Sequence, residues 1–160
     1  MSRHTQIIAG GKTVSVHASK EIETRVVDGA WRLDCRSTLA SDLESSTPAC
    51  VGVEMVFNLL APDAPDRYFQ SPDGRQALEF KGELRGKEIS IADEWQRVRI
   101  AFSGTPQPRW WIVPIETISQ SESGFERVYQ GSAILAVWNL EQGGGENFKS
   151  SLQIEIRRLE

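Results

Sequence analysis

An all-β sandwich is the fold class this sequence predicts, and three observations carry that expectation. Apolar and polar residues alternate with period two along most of the chain, and the spacing of an amphipathic helix is nearly absent. Turn-forming groups of Gly, Pro and Asp punctuate the alternating runs. Several runs are apolar on both faces, which suits stacked sheets or a sheet whose outer face meets something else. The runs add up to about ten or more mostly antiparallel strands, enough for a large β-sandwich.

The first short runs, Gln6–Ala9 and Thr13–Ala18, flank Gly10-Gly11, and Glu23–Val27 leads into Asp28-Gly29, a good two-residue hairpin signal. Trp31–Leu39 then puts Trp31, Leu33, Cys35, Ser37 and Leu39 on one face, which assigns Trp31 to the core. Ser41 to Pro48 reads as a polar connection. Val51–Leu60 sends Val51, Val53, Met55, Phe57 and Leu59 inward. Its other face, Gly52, Glu54, Val56, Asn58 and Leu60, is too apolar to be solvated throughout.

Turns at Pro62-Asp63, Pro65-Asp66 and Pro72-Asp73-Gly74 precede the short runs Ala77–Phe80 and Glu88–Ile91. Glu94–Phe102 points Val98, Ile100 and Phe102 inward, with Arg97 and Arg99 outward. A turn from Gly104 to Pro108 leads into Trp111–Ser119. The long run Gly124–Leu140 follows, with Ile134 and Trp138 on one face and Leu135 and Val137 on the other. Gly143-Gly144-Gly145 reads as a hairpin tip before the last strand, Leu152–Ile156.

Composition bounds the function. A length of 160 residues fits one domain, and 39% hydrophobic with 25% charged residues is a globular profile rather than a disordered one. The net charge of −4 and the lack of a basic stretch exclude a nucleic-acid binder, which needs clustered Lys and Arg to neutralise phosphates. No apolar run is long enough to span a membrane as a helix, and no signal-peptide pattern is present, so a cytoplasmic domain without membrane contact is expected. Cys35 and Cys50 are then expected as two reduced thiols. His4 and His17 are the only histidines, and no Cys or His pair has metal-ligand spacing, so neither metal nor cofactor is expected. The ends read as cuts, with residues 1–158 a single domain excised from a longer enzyme and Leu159-Glu160 a cloning junction.

Chemistry is harder to place. Asp34, Glu54, Glu116, Glu122 and Glu126 lie on or near strands, and paired carboxylates cut glycosidic bonds, but spacing along the chain does not fix their separation across a sheet. No Gly-x-Ser-x-Gly elbow or phosphate-binding loop is present. The five tryptophans carry more information, because an indole face stacks on the C–H face of a sugar ring. Trp110 and Trp111 are adjacent on a strand and point to opposite faces. One of them is therefore a ligand platform, an interdomain contact, or packed under a loop. Glu116 to Gln130 is the densest polar segment, with Glu122, Glu126 and Arg127 able to bond sugar hydroxyls or simply a loop's own backbone.

The stretch WWIVPIETISQSESGFERVYQGSAILAVWNL, Trp110 to Leu140, resembles the C-terminal β-sandwich domain of glycoside hydrolase family 57, the α-amylase and 4-α-glucanotransferase group. VGVEMVFNLLAPDAPDRYF, Val51 to Phe69, resembles an earlier block of the same domain, and the likeness runs from about Val14 to Arg158. The resemblance implies a supersandwich of the galactose mutarotase type. It also implies that the catalytic Glu and Asp of that family sit on an N-terminal (β/α)7 barrel, and neither motif is present here. Mutarotase-like enzymes use a Glu base and a His acid, for which Glu54 and His17 are the conceivable counterparts.

Three functions follow as expectations. The first is a non-catalytic accessory domain that packs on and supports the catalytic barrel of the same polypeptide. The second is an autonomous module for α-glucan oligosaccharides, using Trp110 or Trp111 with Glu54, Asn58, Glu116, Glu122, Glu126 or Arg127. The third is a mutarotase-like epimerase or small glycosidase in its own right.

Overall fold

The computed structural model describes residues 1–9, 11–42, 49–121, 124–140 and 147–159. In chain order the strands are β1 (Ser2–Ala9), β2 (Lys12–Val27), β3 (Ala30–Ser41), β4 (Ala49–Phe57), β5 (Arg67–Ser71), β6 (Gly74–Ala77), β7 (Gly82–Leu84), β8 (Glu88–Asp93), β9 (Val98–Thr105), β10 (Arg109–Ser121), β11 (Gly124–Leu140) and β12 (Phe148–Arg158). They form an eight-stranded sheet in the order β1-β2-β3-β12-β9-β8-β5-β6 and a four-stranded sheet in the order β4-β11-β10-β7. The strand pairings within each sheet are antiparallel.

Local chemistry sets the register. Asp28 and Gly29 both take positive φ, 50° and 75°, and close a two-residue turn that pairs Val27 with Ala30. That backbone twist matches the right-handed twist of the flanking strands, and Asp and Gly tolerate it. Between the sheets, Val51, Val53, Met55 and Phe57 of β4, Trp110 and Ile112 of β10, and Ile134, Ala136 and Trp138 of β11 meet Phe69, Ile89, Ile91, Ile100, Phe102 and Leu152. Phe102 sits centrally, its ring 5.2 Å from Phe57 and 6.4 Å from Trp110. Both core indoles keep their N–H satisfied: Trp110 donates to the Gly86 carbonyl at 3.2 Å and Trp138 to the Pro106 carbonyl at 2.6 Å.

The two outer faces differ. On the larger sheet the outward residues are dressed with ion pairs: Arg25–Asp34 at 2.7 Å, Arg32–Glu155 at 2.8 Å, Arg36–Glu23 at 2.7 Å and Arg99–Glu88 at 2.8 Å. That is the surface expected of a sheet facing water.

Several expected elements are corrected. The runs Thr13–Ala18 and Glu23–Val27 belong to one 16-residue strand, β2. The short strands β5 and β7 were not expected, because prolines and glycines crowd their sequences and leave too few residues for a visible alternation. The run at Ala77–Phe80 lies earlier, as β6: the Phe80 amide turns back to the Ala77 carbonyl at 3.0 Å, and Leu78 drops into the core. The run Glu94–Phe102 begins only at Val98. Asp93 Oδ1 accepts the Gln96 amide at 2.8 Å and Arg97 takes φ 54°, so Glu94–Arg97 form a turn that leaves Trp95 exposed. The run Val51–Leu60 ends at Phe57, and Leu60 is exposed.

Trp31 is on the inward face, as alternation says, yet it is 59% exposed rather than core. It pairs with Val26 and Ile156, on a part of the larger sheet that the smaller one does not cover. Both cysteines are free thiols, Cys35 buried and Cys50 exposed. The expected turn at Gly10, the connection at Leu43–Pro48 and the tip at Gly143–Gly145 lie outside the described residues.

The ion-pair face predicts a pH signature. Burial favours the protonated form of Glu155, but hydrogen bonds from Arg32 and Arg157 outweigh it and hold the carboxyl below its ordinary range. A depressed folded-state value means the stabilisation is present above the unfolded value and is lost as pH falls through the folded one. Glu155→Gln is expected to cost about 1–2 kcal/mol in urea unfolding at pH 7, with the deficit shrinking toward pH 3. A deficit independent of pH would assign the cost to packing instead.

Candidate docking face and binding site

Strand register fixes what the smaller sheet presents outward. Trp111 pairs with Leu135 and Glu83, Leu135 with Glu54, Val113 with Ala133, and Ala133 with Val56. Cross-strand partners share a face, so Glu54, Leu135, Trp111 and Glu83 form one row across the sheet. Val56, Ala133 and Val113 form the next row, and Gly52, Val137 and Arg109 the row before. Trp111 is 37% exposed, Val113 39% and Val56 55%. Arg109 lies over the Trp111 ring, 5.0 Å from its centroid, with Glu83 Oε2 3.6 Å from its Nε. This face is thus largely apolar, with its charge confined to Glu54 and the Arg109–Glu83 pair at the margins.

Beyond these rows, among the described residues, β10 and β11 pair only with each other, as a projecting hairpin. A register shift between Ile115 and Glu116 turns the hairpin relative to the sheet, so that Glu116, Ile118, Tyr129, Arg127 and Phe125 share one side. Glu116 and Arg127 are 3.4 Å apart, while Ile118 and Phe125 are more than 70% exposed, at 72% and 79%. Tyr129 anchors the hairpin to the body: its hydroxyl is 2.7 Å from Ser132 Oγ, which donates to the Leu78 carbonyl at 3.0 Å. Burial raises the Tyr129 phenol above its usual range, with the Ser132 bond opposing and Glu79 adding to the shift. At the base, Gly131 is required by contact, because a Cβ there would stand 2.8 Å from the Phe57 carbonyl oxygen. Asn58 sits beside this close approach and is exposed.

The expected site residues are therefore dispersed. Trp111 and Glu54 share a row two strands apart, about 10 Å by strand spacing. Glu116 and Arg127 are paired on one side of the hairpin, with Glu126 across from Ser119 on the other. Glu122 lies outside the described residues. Trp110 is corrected: with no exposed surface and its N–H bonded to the backbone, it is a core residue and not a sugar platform. Leu135, Val113, Val56, Ile118 and Phe125 were not singled out. For Leu135, Val113 and Val56 the signal was the doubly apolar pattern of their strands, which points to a face rather than to a residue; Ile118 and Phe125 are hidden in the polar segment Glu116 to Gln130.

The reacting groups of an epimerase do not come together. Glu54 faces outward on the smaller sheet, and His17, stacked on its cross-strand partner His4 at 4.1 Å, faces outward on the larger one. Both sheets lie between them, so they cannot serve one sugar as base and acid. Asp34 is held by Arg25 at 2.7 Å and by Gln153 at 2.9 Å on that same outer face. Among the described residues no three His, Cys, Asp or Glu are grouped to hold a metal ion, and no helix is long and apolar enough to cross a membrane.

The two stacked antiparallel sheets, one outer face charged and the other apolar, define a β-sandwich domain. Residues 5–152 match the family described as alpha-amylase/4-alpha-glucanotransferase, C-terminal, and the chain belongs to that family. Alpha-amylase 1 of Dictyoglomus thermophilum is 32% identical over 124 residues, which is 71% of this chain and 17% of that protein. An alpha-amylase of Pyrococcus furiosus is 36% identical over 64 residues, 40% of this chain and 10% of that one. Among solved structures, 4-alpha-glucanotransferase from Thermococcus litoralis superposes with a TM-score of 0.62 at 18% identity, covering 99% of this chain and 20% of that one. A candidate aldose 1-epimerase from Escherichia coli K12 superposes at 0.55 and 9% identity, covering 98% and 69%. The chain thus spans less than a fifth of the curated relatives it matches.

The two adjacent tryptophans give a contrast in stability. Trp110→Ala empties the core and is expected to cost about 3–5 kcal/mol in urea unfolding. Trp111→Ala, on the outer face, is expected to cost about 1 kcal/mol or less. Equal losses would contradict the assigned faces.

Proposed function

We propose that this chain is a non-catalytic accessory domain of an α-glucan-processing enzyme, a hydrolase or glucanotransferase. The outer face of its smaller sheet packs on a catalytic barrel carried by the same polypeptide. The observation that carries this reading is the contrast between the two outer faces. One is covered with paired charges, whereas the other offers Trp111, Val113, Leu135 and Val56 to its surroundings. A contiguous apolar face of this kind marks a surface that another molecule or domain covers. On this reading the chain is one domain of a cytoplasmic enzyme.

A second reading, a module that binds α-glucan oligosaccharides, draws on Trp111 itself. Its partly exposed indole lies beneath Arg109 and beside Glu83, with Glu54 in the same row, a ring platform with polar groups at its rim. The two readings part in one titration. Tryptophan fluorescence of the chain with maltoheptaose is expected to show no saturable change up to millimolar sugar if the face is a docking surface. A saturable change that Trp111→Ala abolishes, with circular dichroism unaltered, would replace the accessory-domain reading with the binding-module one.

A further inference from the structure

The smaller sheet ends at β4, which pairs with β11 on one side and with no described strand on the other. Its sequence, ACVGVEMVF, has no Lys or Pro and a single charge, Glu54. A long apolar edge of this kind is a template for another strand, because half of its backbone N–H and C=O groups point away from the sheet. Next to that edge the inner face of the larger sheet runs on without cover. Ile22 and Val26 of β2 are each 57% exposed and Trp31 of β3 59%, although register places all three on the side that faces the core. A groove of about 330 Å³ lies between edge and overhang, lined by Val51, Val53, Leu39 and Phe148, with Arg3 and Lys20 at its rim.

We infer that β4 accepts a further β-strand, which extends the smaller sheet over β3 and β2. The free edge and the uncovered face demand the same occupant. A strand hydrogen-bonded to β4 would send every second side chain down onto Ile22, Val26 and Trp31. Arg3 and Lys20 favour an acidic residue at the end of that strand near the groove rim. A second copy of this chain fits poorly: antiparallel β4–β4 pairing would bring two overhanging β1–β3 segments into the same space. The occupant is a segment of the polypeptide that carries the catalytic barrel, and this part of the inference rests on the function proposed above.

Hydrogen exchange followed by mass spectrometry tests this, on the isolated chain and on the polypeptide that joins it to its barrel. In the isolated monomeric chain, the outward β4 amides are expected to exchange about 100-fold faster than those of β11. In the longer polypeptide they become protected, and Trp31 becomes inaccessible to acrylamide quenching. Ile22→Lys, tolerated in the isolated chain because Ile22 is exposed, is expected to restore fast β4 exchange in the longer one. The inference is overturned if β4 is already protected in the monomer, if its protection arises by self-association, or if it stays unprotected beside the barrel. Failure of the barrel docking reads differently: Trp111 would stay open to quenching while β4 is protected.

Discussion

A sheet with an apolar face must bury it, and here an eight-stranded sheet has only four strands to bury it against. The centre of the molecule satisfies this constraint fully. Trp110, Phe102, Phe69, Ile134 and Ile112 have almost no exposed surface, and the two core indoles each find a backbone carbonyl. The unequal strand count has its effect at the margin, where β2 and β3 carry inward-facing side chains beyond the reach of β4. Exposed Trp31 and the open edge of β4 are two results of the same inequality.

Much of this was legible in the sequence. Period-two alternation located the long strands, and the boundaries Gly124–Leu140 were read from sequence as they stand in the fold. Asp28-Gly29 was legible because few residue pairs take two positive φ values in succession. What stayed hidden depended on partners far away in the chain. Alternation gives the side a residue faces, not whether anything lies opposite, and so Trp31 was read as core. The adjacent tryptophans could be split between two faces but not assigned to them. That assignment came from the pairing of Trp110 with Leu84 and Ala136, on the inner side. The stacking of His4 on His17 likewise came from register, 13 residues apart in sequence yet directly opposite across the β1–β2 hairpin.

The site reads as a surface rather than a reaction centre. Acidic residues that a sequence-level view could combine into a catalytic pair are separated by the sandwich: Asp34 on one outer face, Glu54 on the other, Glu116 ion-paired to Arg127 on the hairpin. Asp34 and Glu116 are held in ion pairs, and these three carboxylates lie on separate surfaces of the molecule. The projecting hairpin exposes Ile118 and Phe125 on the side it shares with Tyr129, opposite to the Trp111 face, while Tyr129, Ser132 and the Leu78 carbonyl tie its base to the core. A rigid base under an apolar tip suits contact with a large partner, since little conformational entropy remains to be lost there on docking.

The central claim is that the outer face of the smaller sheet is covered in the working protein. Hydroxyl-radical footprinting of Trp111, Val113, Leu135 and Val56, on the chain alone and joined to its catalytic barrel, tests it most directly. The account predicts that these side chains are oxidised readily in the isolated chain and protected severalfold in the joined one, while Trp95, in its turn at the far sheet, is oxidised equally in both. Equal oxidation of Trp111 and its neighbours in the two forms would contradict the account.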